Sequence, residues 1–136
     1  MREIKFRAWD KRDNKWAFTE FDIIGETWLF GLLEQYCRDT KGDVTTIERI
    51  NDIDIQQFTG LKDSTGNDIY EGDILKTVKG VIGEVIWEDS RATISFKYRN
   101  RYNTNYKFQY IWKSLFWAAS RSIVIGNIFE TPKLIK

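Results

Sequence analysis

The stretch from Gln57 to Leu75, QFTGLKDSTGNDIYEGDIL, constrains this chain most. Its three glycines, Gly60, Gly66 and Gly72, stand at even six-residue spacing, with Gly66-Asn67 at the centre of a run of turn formers. Glycine serves where the backbone needs positive φ or close approach. Short apolar segments flank the glycines: Phe58 and Leu61, Ile69 and Tyr70, then Ile74 and Leu75. The pattern is that of two tight connections joining short strands. It speaks to fold and says little about chemistry.

Composition sets the outer bounds. At 136 residues the chain is one domain, or two very small ones sharing a core. Apolar residues make up 42% and aromatics 15%, enough for a packed core and against disorder. With 21 basic and 20 acidic residues the net charge is +1, so no overall field steers the chain to nucleic acid or acidic membrane. Any anion site must come from local clustering. There is no histidine, which removes Ser-His-Asp, Cys-His and His-ligand chemistry together. One cysteine, Cys37, excludes an intramolecular disulfide and the usual zinc sets, and suits a reducing compartment. No apolar run reaches the roughly 20 residues that span a bilayer. The alternating start, MREIKFR, does not have the pattern of a signal peptide. The expectation is a cytoplasmic protein without cofactor, metal or membrane partner.

Periodicity along the chain gives the elements. Glu3–Trp9 alternates and predicts a half-buried strand, with Ile4, Phe6 and Ala8 on one face. Asp10–Lys15 is a polar turn, with Lys11 and Arg12 as tip charges, and Trp16–Ile24 the second strand of a hairpin. Trp28, Leu29, Leu32, Leu33 and Tyr36 recur at helical offsets, with Thr27 as the candidate N-cap and the segment around Gly42 as the end. Cys37, next to this face, reads as a small core residue. Val44–Asp52 fits helix or strand, and Ile53–Thr59 favours strand. Strands are expected at Asp73–Lys79, Val81–Trp87 (Gly83 marking a bulge), Ala92–Arg99, Tyr106–Trp112 and Ser122–Phe129. Lys113–Ala119 is an irregular or one-turn helical link. Short strands with tight turns predict a mainly β fold with a minor helical component: strands and one helix over 1–56, and a β-roll or small barrel over 57–136.

Three blocks carry a family resemblance. They are MREIKFRAWD at the start; QFTGLKD with Gly66 and IYEGDI in the centre; and VIGNIFE with Pro132 near the end. In order and spacing they are similar to the YopX family of bacteriophage and prophage proteins. The blocks cover about a third of the chain directly and bracket nearly all of it. The resemblance implies a phage or prophage origin and an SH3-like β-roll in the C-terminal half. It implies no activity and no catalytic residues. It marks Gly60, Gly66, Gly72 and Gly126 as structural turns.

Four features carry candidate chemistry. Lys97, Tyr98, Arg99, Arg101, Tyr102 and Lys107, with Tyr106, interleave cations and aromatics as single-strand binders do. Set against that is an ordinary hairpin with solvated charges and core-facing rings, which the near-zero net charge favours. Asp63, Asp68, Glu71 and Asp73 offer oxygen ligands close in sequence, but Gly66 misses the EF-hand glycine position, and Asp favours turns on its own account. Glu84 with Glu88 or Asp89 would be a carboxylate pair for acid–base work if brought together. Finally, six Trp in a short chain exceed what a small core absorbs, so an exposed aromatic surface is expected. The reading favoured here is a non-enzymatic module binding a host or phage protein, or a second copy of itself. Nucleic-acid binding through residues 97–107 is the alternative, and a carboxylate enzyme ranks below both.

Overall fold

A computed structural model describes residues 4–22, 26–99 and 110–135 of the protein. Strand β1 (Lys5–Asp10) pairs antiparallel with β2 (Lys15–Asp22) on one side and with β3 (Ile53–Lys62) on the other. The hairpin turns through Lys11–Asn14, where Asn14 takes φ 54°, a conformation asparagine tolerates. Being central, β1 is covered more fully than its alternation predicts. Ala8, Trp9 and Asp10 are all buried, and two register shifts against β2 break the two-residue period.

Helix α1 (Glu26–Thr40) begins before Thr27, which therefore lies inside the helix and is not its N-cap. Leu33 and Cys37 are buried and Leu32 and Tyr36 half-buried, the expected i, i+4 face. Cys37 is a core residue, and burial pushes its thiol up. Gly42 follows the helix at φ 63°. The ambiguous segment after it forms helix α2 (Thr46–Ile50). A capping box starts it: Thr45 Oγ1 accepts from the Glu48 N–H at 3.1 Å, and Glu48 Oε2 accepts from the Thr45 N–H at 3.4 Å. The T-x-x-E signal stands in the sequence, but the density of β-branched isoleucines obscures it.

What α2 contributes to its unit is Arg49, fully buried. Its guanidinium forms a two-pronged ion pair with the equally buried Asp10, with Nη1 donating to Oδ1 at 2.9 Å and Nη2 to Oδ2. It also reaches Asp13 at 3.1 Å, Asp52 at 3.4 Å and Thr40 Oγ1 at 3.2 Å. Tyr36 OH donates to Asp10 at 2.6 Å. Burial pushes the Asp10 carboxyl up, but these donors override it and hold it well below the usual carboxylate range. The same burial, and the Asp10 carboxylate, push the Tyr36 phenol up to about 12. Arg12 is more than a turn-tip charge: it donates to the Thr40 and Lys41 carbonyls at the end of α1. The chain divides into two units, Met1–Gln57 and Phe58–Lys136, and the ion-pair cluster belongs to the first.

In the second unit the end of β3 pairs with β4 (Asp68–Tyr70). Gly60, φ 87°, lies within β3 between Phe58↔Tyr70 and Lys62↔Asp68, where the register slips; it marks a bulge and not the turn expected of it. Gly66 (φ 91°) and Gly72 (φ 85°) do occupy turns. Strands β5 (Asp73–Thr77), β6 (Ile82–Glu88), β7 (Thr93–Arg99) and β8 (Tyr110–Ser114) follow as a meander. Then come the one-turn helix α3 (Leu115–Ala119) and β9 (Ser122–Asn127), which returns beside β5. The order β8-β7-β6-β5-β9, with a helical turn before the last strand, is SH3-like. The fold is mainly β with minor helices, as expected. Residues 106–109 of the predicted strand lie outside the described residues, and the last strand stops at Asn127. Ile69, Leu75, Val85, Phe96, Leu115 and Ala118 form the core. Gly83 shows no bulge in its pairing with β5 or β7. A Cβ there would lie 2.5 Å from the Lys97 carbonyl oxygen and 2.7 Å from the Phe96 ring, so close packing is what requires glycine. Gly126 is a strand residue; a Cβ there would collide with Thr131 Oγ1.

Gly83→Ala should lower the unfolding free energy by about 2–3 kcal/mol through overpacking. Gly31→Ala, in α1 with nothing within 4 Å of the new methyl, should raise it by about 0.5–1 kcal/mol. Arg49→Met should cost about 3–5 kcal/mol because it strands the Asp10 carboxylate, and Asp10→Asn added to it should recover part of that loss. Urea titrations of the variants against the parent check all three.

Candidate functional site

Helix α3 has five residues, and three of them, Leu115, Ala118 and Ala119, are buried in the second unit's core. That i, i+3, i+4 set uses one face, so the two residues between must point away. Phe116 is accordingly 78% exposed and Trp117 41%. Directly after the helix, the Arg121 carbonyl accepts from the Val78 N–H at 2.9 Å, tying the β5–β6 turn to this corner. That turn is built by Thr77, whose N–H donates to the Val81 carbonyl at 2.8 Å and whose Oγ1 accepts from the Val81 N–H at 3.0 Å, and by Gly80 at φ 86°. It presents Val78, 83% exposed, and Lys79.

Between the turn and the helix lies an open cavity of about 560 Å³, within the range of ligand pockets. Its inner wall is Val81, Phe96 and Tyr98, the two rings 5.5 Å apart. Trp117 and Val78 form its apolar lip, and Lys79, Lys113 and Arg121 supply three cations. Lys113 Nζ sits 5.8 Å and the Arg121 guanidinium 5.2 Å from the Trp117 ring centroid. Arg121 also donates to the Trp117 carbonyl at 2.8 Å, holding the helix end. Among the described residues no carboxylate lines the cavity and none of the three cations is in an ion pair.

The residues singled out in the sequence fall elsewhere or only partly here. Tyr98 lines the cavity with Phe96. Lys97 projects from the other face of β7, opposite Glu84 in the ladder, and that cation draws down a carboxyl which burial pushes up. Arg99 ends β7, and Arg101, Tyr102, Tyr106 and Lys107 lie outside the described residues. Glu84 and Glu88 are four residues apart on one strand, about 13 Å. That exceeds the roughly 5–9.5 Å of paired glycosidase carboxylates. Ser95, Arg91 and Ser90 occupy Glu88 and hold its carboxyl low, the Ser95 hydroxyl contributing most. Asp89 starts a short 3₁₀ turn.

The acids of the central stretch are each engaged in structure. Asp63 accepts from the N–H groups of Thr65, Asn67 and Val124 at 2.9 Å and from the Thr65 hydroxyl at 2.8 Å. Burial pushes its carboxyl up, but those donors outweigh it and hold it at about 2. Asp68 pairs with Lys62 at 2.7 Å, and Asp73 accepts from the Tyr70 N–H and from Asn127. Among the described residues no three acidic or sulfur side chains gather into a group that could hold a metal ion. Sequence reasoning missed Lys79, Lys113, Trp117 and Arg121. The signal was Leu115-Phe-Trp-Ala-Ala: small and apolar residues at 115, 118 and 119 fix which side is inside.

The family model of the YopX protein matches residues 5–136, nearly the whole chain, and the chain belongs to the YopX family. No curated protein matches it. Among solved structures it is similar to protein EF1440 from Enterococcus faecalis, at 21% identity over all of both chains and a TM-score of 0.46. No helix among the described residues is long and apolar enough to cross a membrane.

Asp63 carries a pH signature. Its carboxyl falls from an ordinary 3.8 to about 2 on folding, so its stabilisation is complete above about pH 4 and is lost as pH falls from there to about 2. Asp63→Asn should therefore cost about 2 kcal/mol near neutral pH and little at about pH 2, while the Asp10 share of the acid sensitivity persists. Urea titrations across that range measure it.

Proposed function

We propose that the protein is a non-enzymatic phage or prophage accessory module that works in the host cytoplasm. It binds a host or phage protein, or a second copy of itself, through the α3 corner of its second unit. The supporting observation is the exposure of Val78, Phe116 and Trp117 around an open cavity. Exposed aromatics next to a preformed pocket are what interface anchors use. Trp87, 48% exposed on β6, adds to the aromatic surface that the tryptophan count predicts. The binding reading needs no cofactor.

Nucleic-acid binding is the second reading, and the cluster of Lys79, Lys113 and Arg121 beside Tyr98 and Trp117 supports it. It would extend to Lys97, Arg99, Arg101, Tyr102 and Lys107. Its weaker side is that Lys97 faces Glu84, and that cations already stand over the Trp117 ring on which a base would stack.

The tagged chain, incubated with host lysate and run in parallel on light scattering, should retain one discrete protein or form a defined oligomer. Phe116→Ser with Val78→Ser should abolish that, and Ile47→Ser in the first unit should leave it intact. A strict monomer that retains nothing, or loss only with Ile47→Ser, overturns the reading.

A further inference from the structure

We propose that the occupant of the α3 cavity is an acidic segment of the partner protein, with one apolar side chain seated in the cavity. This rests on the docking role proposed above and names the chemistry of what docks. The cavity offers two different surfaces. Its interior is aromatic and aliphatic, from Val81, Phe96 and Tyr98 with Trp117 at the lip, and its volume of about 560 Å³ takes a large side chain with room for its neighbours. Its remaining charge is of one sign, from Lys79, Lys113 and Arg121, in a chain whose total charge is nearly balanced.

Among the described residues no ion pair compensates these three cations. Elsewhere among the described residues some cations are paired, as Arg49 is with Asp10, Lys62 with Asp68, Arg91 with Glu88 and Arg38 with Glu34, and others, such as Lys15, Lys41 and Lys76, are in no ion pair; what sets the three apart is that they gather around one apolar cavity. An unpaired cluster around an apolar hole is complementary to carboxylates flanking an apolar anchor. Arg121 spends one N–H on the Trp117 carbonyl and keeps its other donors for a carboxylate. The cations over Trp117 also separate this occupant from a nucleic acid. They cover the ring face that base stacking needs, while Phe116 and Val78 widen the apolar contact beyond anything a phosphate backbone uses.

The test is selection from a random dodecapeptide library displayed on phage, panned against the full-length chain and against its Lys79→Glu, Lys113→Glu variant. Both lysines lie outside the core, so the variant keeps the fold, which circular dichroism checks. The selected pool should be rich in Asp and Glu around a single Leu, Ile, Phe or Trp. A synthetic peptide of that consensus should bind the variant about tenfold more weakly or worse. It should also shift the Trp117 indole N–H resonance of the parent. A neutral or basic pool, no enriched pool, or a consensus that binds the variant equally overturns the inference. So does a twelve-nucleotide oligothymidylate that moves the Trp117 resonance when no peptide does, which would move the site to nucleic acid. If lysate capture through Phe116 and Val78 survives Lys79→Glu, Lys113→Glu, the docking role stands and the acidic occupant falls. If capture fails altogether, the docking role itself falls.

Discussion

A five-residue helix that commits Leu115, Ala118 and Ala119 to a hydrophobic core has only two side chains left, and both must face outward. In this chain those two are phenylalanine and tryptophan. The exposed corner is a geometric consequence of closing the β-roll between β8 and β9 with one turn of helix. The β5–β6 turn completes it, because the Val78 N–H bonds to the Arg121 carbonyl just beyond that helix. The surface is thus carried by the same contacts that hold the second unit shut.

Buried charge serves a different purpose in this protein. Asp10, Arg49, Asp63, Asp73 and Glu88 are all buried, and each is saturated with donors or acceptors from its own unit. Such groups fix particular backbone geometries: Asp63 ties the Thr65–Asn67 turn to β9, and Arg49 ties α2 to the β1–β2 hairpin. The Asp10, Asp63 and Glu88 carboxyls are held low for this reason, and a low carboxyl inside a closed set of donors is a fastener. The cations at the α3 corner differ in having no such closed set.

Much of the fold was legible in the residues. Alternation located most strands, the three blocks identified the family, and the glycines of the central stretch marked bends. Gly60 and Gly83 show the limit. A glycine signals that something is special about the backbone, but whether it is a turn, a bulge or a close approach depends on a neighbouring strand that the local sequence does not name. Thr27 is not the cap because the helix already includes Glu26. Thr45-Glu48, a real capping box, was hidden among isoleucines. The site was less legible for a similar reason. Lys79 lies in the β5–β6 turn while Lys113, Trp117 and Arg121 lie in the run from β8 to β9, and only the return of β9 beside β5 brings the two stretches together. Lys97 and Tyr98, adjacent in sequence, fall on opposite faces of β7 because a strand alternates.

The binding account rests on the α3 corner being the face that meets a partner. Photo-crosslinking in the host cell tests that most directly, with p-benzoylphenylalanine placed in turn at positions 116, 78, 47 and 50 of the full chain. Adducts to one discrete protein, or to a second copy, should form from positions 116 and 78 and be absent from 47 and 50. Adducts from 47 or 50 with none from 116 and 78 would contradict the account.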